Sequence, residues 1–121
     1  MSAIPFADDV LDAEQEVLTF REAAERLGLP VSRVQQLCRD RHLVALRRAG
    51  EPVLPAAFID GDDLVKALGG TVTVLSDSGF TTTEMLRWLF TEDDSLPGTP
   101  IDALRGNRGR EVKRRAQALA L

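Results

Sequence analysis

A mainly α-helical fold with one small β-hairpin is what this chain predicts, on three observations. Apolar residues recur at helical spacing in short runs, separated by Gly, Pro and capping residues. One stretch, HLVALRRAGEPVLPAAF, reads instead as two short strands around Ala49-Gly50-Glu51-Pro52, with Arg47 and Arg48 at the tip. Two helical patterns lie only three or four residues apart just before it, in TFREAAERLGLPVSRVQQLCRD. Two close helices followed by a basic hairpin predict a winged helix-turn-helix, with a C-terminal helical bundle made from the rest.

Taken in order, residues 1–17 carry acids and scattered apolar residues, and predict a mobile acidic tail that either competes with DNA for a basic face or merely solubilises. Residues 18–59 form the winged unit. Phe20, Ala23, Ala24 and Leu27 make one apolar stripe, Thr19 and Glu22 a capping box, and Gly28 a C-terminal stop. Leu29-Pro30-Val31 is the turn. Ser32 and Gln35 suggest a second box, and Val34, Leu37 and Cys38 line the inner face of the second helix. Ser32, Arg33, Gln35, Gln36 and Arg39 are then outward. Arg suits guanine edges, Gln suits adenine, and Ser accepts either, so this face fits the major groove of double-stranded DNA. Arg47 and Arg48 on the wing suit phosphate or the adjacent minor groove. Arg21 on the first helix and Arg114 and Arg115 near the C-terminus are further candidate contacts. Polar outer faces are common on helical hairpins, so the wing strengthens the reading.

Residues 60–121 are expected to form the helical C-terminal domain. Asp60 can cap a helix running to Leu68, with Gly69-Gly70 ending it. TVTVLSDSG has strand-like β-branched residues, yet it is short and has no evident pairing partner; we read it as helix. Thr81 and Glu84 make another capping box, with Phe80 and Met85 as a staple, and Met85, Leu86, Leu89 and Phe90 face inward with Trp88. Thr99-Pro100 starts a further helix. REVKRRAQALAL closes the chain as a helix with Val112, Ala116 and Leu119 inward.

The net charge of −4 is unevenly spread. Residues 19–58 hold seven Arg against four acids, and residues 105–121 hold six bases against one acid. A DNA surface needs a local basic patch, and the chain has two. The acidic run Thr91 to Ser95 lacks the Gly and distal Glu of a calcium loop. The single His42 and single Cys38 provide no zinc set, and no catalytic constellation or phosphate loop appears. The chain is therefore expected to be no enzyme, without metal or cofactor. No apolar run approaches a membrane span and no secretory leader is evident, so a cytoplasmic protein is expected. No heptad run is present, and a monomer is the default, with a dimer left open.

These motifs resemble known families. Glu22-Ala23-Ala24, Leu27-Gly28, Ser32, the wing from Leu43 to Gly50 and Pro55 to Phe58 look like the small winged domains of excisionase and MerR-type regulators. Trp88-Leu89, then Leu96, Gly98, Pro100 and Leu104, then Gly109, are similar to helical modules of antitoxins, which implies a protein partner for residues 80–121. From about Ile4 onward the chain resembles an actinobacterial family of small DNA-binding proteins in which these halves are fused. That resemblance implies double-stranded DNA binding and transcription regulation. Some members carry a kinase-modified Thr in the N-terminal tail; this chain has no Thr before Thr19.

Overall fold

The computed structural model describes residues 3–119. The first two residues of the expected tail and the last two of the closing helix lie outside the described residues. The chain runs β1 (Val17–Thr19), α1 (Phe20–Leu27), α2 (Val31–Arg39), β2 (Leu46–Arg48), β3 (Glu51–Pro55), a 3₁₀ turn (Ala56–Phe58), β4 (Ile59–Asp60), β5 (Asp63–Leu64), α3 (Leu68–Asp77), α4 (Thr82–Leu89), α5 (Pro100–Arg105) and α6 (Gly109–Ala118).

Local chemistry sets the helix starts. Thr19 caps α1 through its side chain, and Glu22 returns the bond at 2.8 Å, completing the box. Gly28 ends α1 at φ 65, a left-handed position that favours glycine. Thr81 and Glu84 repeat the box on α4, and Thr99 with Asp102 repeats it on α5. The second helix differs from expectation. It starts at Val31, two residues early, with Pro30 as N-cap and no side-chain cap. Ser32 therefore lies inside the first turn, where its hydroxyl cannot cap, and the Ser32–Gln35 box does not form.

The wing forms where expected, but with a tighter turn, since Glu51 and Pro52 belong to β3 and not to the loop. β2 and β3 pair antiparallel with Arg48 opposite Glu51, leaving Ala49-Gly50 as a two-residue loop. Both loop residues have positive φ, 52° and 80°, as a type I′ hairpin turn requires. β1 pairs with the other edge of β3, with Leu18 opposite Leu54, giving a three-stranded sheet of order β1-β3-β2.

Two expectations fail beyond the wing. Asp60 caps no helix. Gly61, at φ 67, turns the chain so that Asp60 pairs with Asp63 and Ile59 with Leu64 in a tight hairpin. Gly69-Gly70 do not end a helix; they lie in the first turn of α3, which covers the stretch read as helix from Thr71 onward. A Cβ on Gly69 would make ordinary contact with His42 at 3.7 Å, and one on Gly70 would meet the flexible end of Lys113, its Nζ, at 3.2 Å. The Thr71 hydroxyl, fully buried, donates to the Ala67 carbonyl at 2.8 Å.

The residues read as a mobile tail are docked over the described span. Ala7 is buried, donates its N–H to the Ala45 carbonyl at 2.8 Å and forms a parallel bridge with Leu46. Ile4, Phe6, Val10 and Leu11 pack against the core. They follow no helical or strand period because they lie along an irregular arm, so a periodicity search passes over them. The core itself is one connected cluster. Val34 of α2, Leu46 of β2 and Phe58 join Leu68, Met85, Leu104 and Val112 of the C-terminal helices. Arg105 of α5 ties the halves further, donating from one Nη1 to the carbonyls of Ala57 and Ile59 at 2.9 and 2.8 Å. On α6, Val112 and Ala116 face inward as read, but Leu119 is the C-cap residue and is 47 % exposed.

Candidate nucleic-acid interface

Helix α2 is anchored by Val34 and Cys38, both buried against the core. Burial pushes the Cys38 thiol up to about 12, so it is an inert core group at neutral pH. The helix leaves Val31, Ser32 and Arg33 exposed at its N-terminal end, with Gln35, Gln36 and Arg39 half-buried. Val31, at 37 % exposure, is an apolar side chain left in water at the first helical position. Sequence reasoning placed it in the turn and missed it. A thymine methyl is the kind of group such a side chain meets in the major groove.

The outward residues are not equally free. Gln36 donates to Asp40 Oδ1 at 2.8 Å, and Arg39 donates to Gln36 Oε1 at 3.2 Å. The chain Arg39–Gln36–Asp40 holds the Gln36 amide in one orientation. Asp40 was also missed, although its position four residues after Gln36 on a helix is the signal for such a pair. Arg33 makes no ion pair or side-chain hydrogen bond among the described residues and projects freely. Arg21 is exposed in the first turn of α1.

The two wing arginines have different surroundings. The Arg47 guanidinium lies 4.3 Å from the centroid of the Phe6 ring and remains exposed. A guanidinium stacked on a ring keeps its N–H edges available, so Arg47 still suits phosphate. Arg48 is occupied. It donates from Nε to Asp9 Oδ2 at 2.8 Å and from Nη2 to Asp9 Oδ1 at 3.1 Å, a bidentate pair. It also donates to the carbonyls of Gln15 and Asp12, at 2.8 and 3.1 Å. The bond from Arg48 holds the Asp9 carboxyl below its ordinary value. Arg48 is thus a brace between the wing and the N-terminal arm, and its guanidinium is less free than that of Arg47 to meet DNA. Its partner lies 39 residues away, beyond the reach of any local pattern.

The C-terminal basic residues also divide. Arg115 donates to Ser95 Oγ at 2.7 Å and to the Ser95 carbonyl at 3.2 Å, which turns it toward the acidic loop. Arg114 is exposed on the other flank of α6, with no ion pair or side-chain hydrogen bond among the described residues.

A two-helix unit with an exposed polar second helix, followed by a two-stranded hairpin bearing Arg47, defines a winged helix-turn-helix protein. The chain belongs to the Rv2175c family. Residues 3–59 match the model described as "DNA-binding protein Rv2175c, wHTH domain", and residues 65–120 match the "Rv2175c C-terminal domain of unknown function". The curated protein "DNA-binding protein Rv2175c" of Mycobacterium tuberculosis is 45 % identical, over 99 % of this chain and 91 % of that protein. The solved NMR structure of Rv2175c is similar at a TM-score of 0.88 and 44 % identity, over 99 % of this chain and 91 % of that one. No helix among the described residues is long and apolar enough to cross a membrane.

Proposed function

We propose that this protein binds double-stranded DNA in a sequence-specific way and regulates transcription, as a monomer in the cytoplasm. The observation that carries the reading is the exposed N-terminal end of α2, Val31-Ser32-Arg33, held on a packed core beside the wing. In this arrangement α2 enters the major groove. Arg33 and Gln36 reach base edges, Ser32, Gln35 and Arg39 support them, and Arg47 grips the backbone or minor groove. Arg21 at the start of α1 suits a flanking phosphate. The name of the M. tuberculosis relative and its near full-length similarity support carrying DNA binding to this chain.

The direct test is a titration of fluorescent duplex against the full chain at about 50 and 200 mM salt. Binding that weakens steeply with salt is expected, because each phosphate contact releases counterions. Absence of binding at both concentrations refutes the reading. Arg33→Ala is expected to weaken the preferred duplex by about 1–3 kcal/mol and random duplex less.

A second reading gives residues 80–121 a protein partner. It is favoured by a shallow apolar surface where Phe80 and Trp88, both half-buried, lie between Glu84 and Arg87. The two roles are compatible, since this surface uses no residue assigned to DNA.

A further inference from the structure

We propose that the C-terminal half carries a second DNA contact of its own, a phosphate-gripping stripe on α6 formed by Arg110, Lys113 and Arg114. The proposal rests on the DNA-binding reading above and gives a task to the half of the fold that the first site leaves unused.

The stripe is defined by helix geometry. Arg110, Lys113, Arg114 and Gln117 follow the spacing i, i+3, i+4, i+7, so they share one flank of α6. Val112 and Ala116 bury the inner face. The remaining flank holds Glu111 and Arg115, and there both are engaged: Arg108 meets Glu111 at 3.4 Å and Arg115 hydrogen-bonds to Ser95. Arg110, Lys113 and Arg114 are exposed and make no ion pair or side-chain hydrogen bond among the described residues. Of the three, Arg110 lies in the first turn of α6, where a cation opposes the helix dipole at a small cost.

The stripe is also placed beside the recognition helix. α2 ends at Arg39, and the chain continues through Arg41 and His42. The Thr73 hydroxyl of α3 donates to the Arg41 carbonyl at 3.2 Å and lies 3.3 Å from His42 Nδ1. The two glycines of α3 complete the link. The Gly69 side faces His42 at 3.7 Å, and the Gly70 side faces Lys113 Nζ at 3.2 Å. A Cβ at Gly69 would make ordinary contact with His42, and one at Gly70 would press on the flexible end of Lys113. The loop that follows the recognition helix and the Lys113 ammonium therefore both lie against the first turn of α3. α3 carries its one charge, Asp77, at its far end, so no carboxylate of α3 separates the two basic groups. In this proposal the backbone of a duplex seated on α2 continues past the first turn of α3 and onto the stripe.

The test uses the full chain and a random-sequence duplex of about two helical turns, with affinity measured across a salt series. Replacing Arg110, Lys113 and Arg114 together by Ala is expected to flatten the slope of log affinity against log salt by about 2 to 3, near 0.9 for each phosphate no longer neutralised. Every duplex should weaken alike. Arg87→Ala, which removes a charge from the Phe80–Trp88 surface, is the control and should leave the slope unchanged. If the triple variant keeps the full slope while wild type binds and Arg33→Ala weakens it, the stripe is not a DNA contact and the winged-domain reading stands. Equal flattening by Arg87→Ala makes the effect one of net charge and also overturns the proposal. If wild type binds no duplex, both readings fall.

Discussion

Phe6→Ala tests the docking of the N-terminal arm. Phe6 is half-buried, packs with its ring centroid 6.4 Å from that of Phe20, and carries Arg47 on its face at 4.3 Å. Removing a fully buried Phe costs about 3–5 kcal/mol, so half-burial gives about 2. Loss of the exposed cation–π interaction adds about 0.5–1. The expected destabilisation is about 2–3 kcal/mol. For a chain of this length that lowers the melting temperature by about 10 °C. The assay is thermal unfolding followed by far-ultraviolet circular dichroism, with a urea titration to confirm that the slope is unchanged. Glu14→Ala, at an exposed position of the same arm, is the control and should stay within about 0.5 kcal/mol of wild type. A drop below about 2 °C for Phe6→Ala would show that the arm is not held on the domain, and the brace described for Arg48 would lose its anchor.

Three further outcomes follow from single residues. The Asp9 carboxyl is depressed below its ordinary value of 3.8 by Arg48, so its contribution is present above that pH and is lost as pH falls toward the depressed value. Asp9→Asn should therefore lower stability at neutral pH by up to about 1 kcal/mol and flatten the stability profile below about pH 4; an unchanged acid limb would contradict the pairing. Ala49 sits at φ 52 in the wing turn, where Asn is better tolerated, so Ala49→Asn should raise the urea midpoint by about 1 kcal/mol equivalent, and a lower midpoint would refute the turn geometry. Cys38, buried with its thiol pushed up to about 12, should react with a neutral-pH thiol reagent only as urea unfolds the chain; rapid labelling in buffer would contradict its burial.

Elements governed by neighbours in sequence were legible. The boxes at Thr19–Glu22 and Thr81–Glu84, the Gly28 stop and the Ala49-Gly50 turn each depend on residues within a few positions. The winged class followed from them. What failed depends on distant partners or on competition between adjacent signals. Pro30 and Ser32 both favour a helix start, and Pro30 won, which moved Val31 into the helix and onto the exposed face. Gly69-Gly70 signal a stop in isolation, but the helix that contains them is held by its buried face of Leu68, Thr71, Val72 and Leu75. The arm has no period because its apolar residues pack on the core along an irregular segment, and Asp9 finds Arg48 on the neighbouring edge strand β2. At the site the outward face of α2 was legible from its stripe. The division between free Arg33, tethered Gln36 and occupied Arg48 was not, since it is set by Asp40 and Asp9.

Sequence reading by α2 is tested most directly by selecting bound duplexes from a random pool, with wild type and with Arg33→Ala in parallel. Wild type should enrich a defined sequence, and Arg33→Ala should lose preference at one or two adjacent positions while still retaining DNA through Arg47 and the backbone contacts. Enrichment of no sequence by wild type, or an identical preference in the variant, would contradict the claim that this helix reads DNA through Arg33.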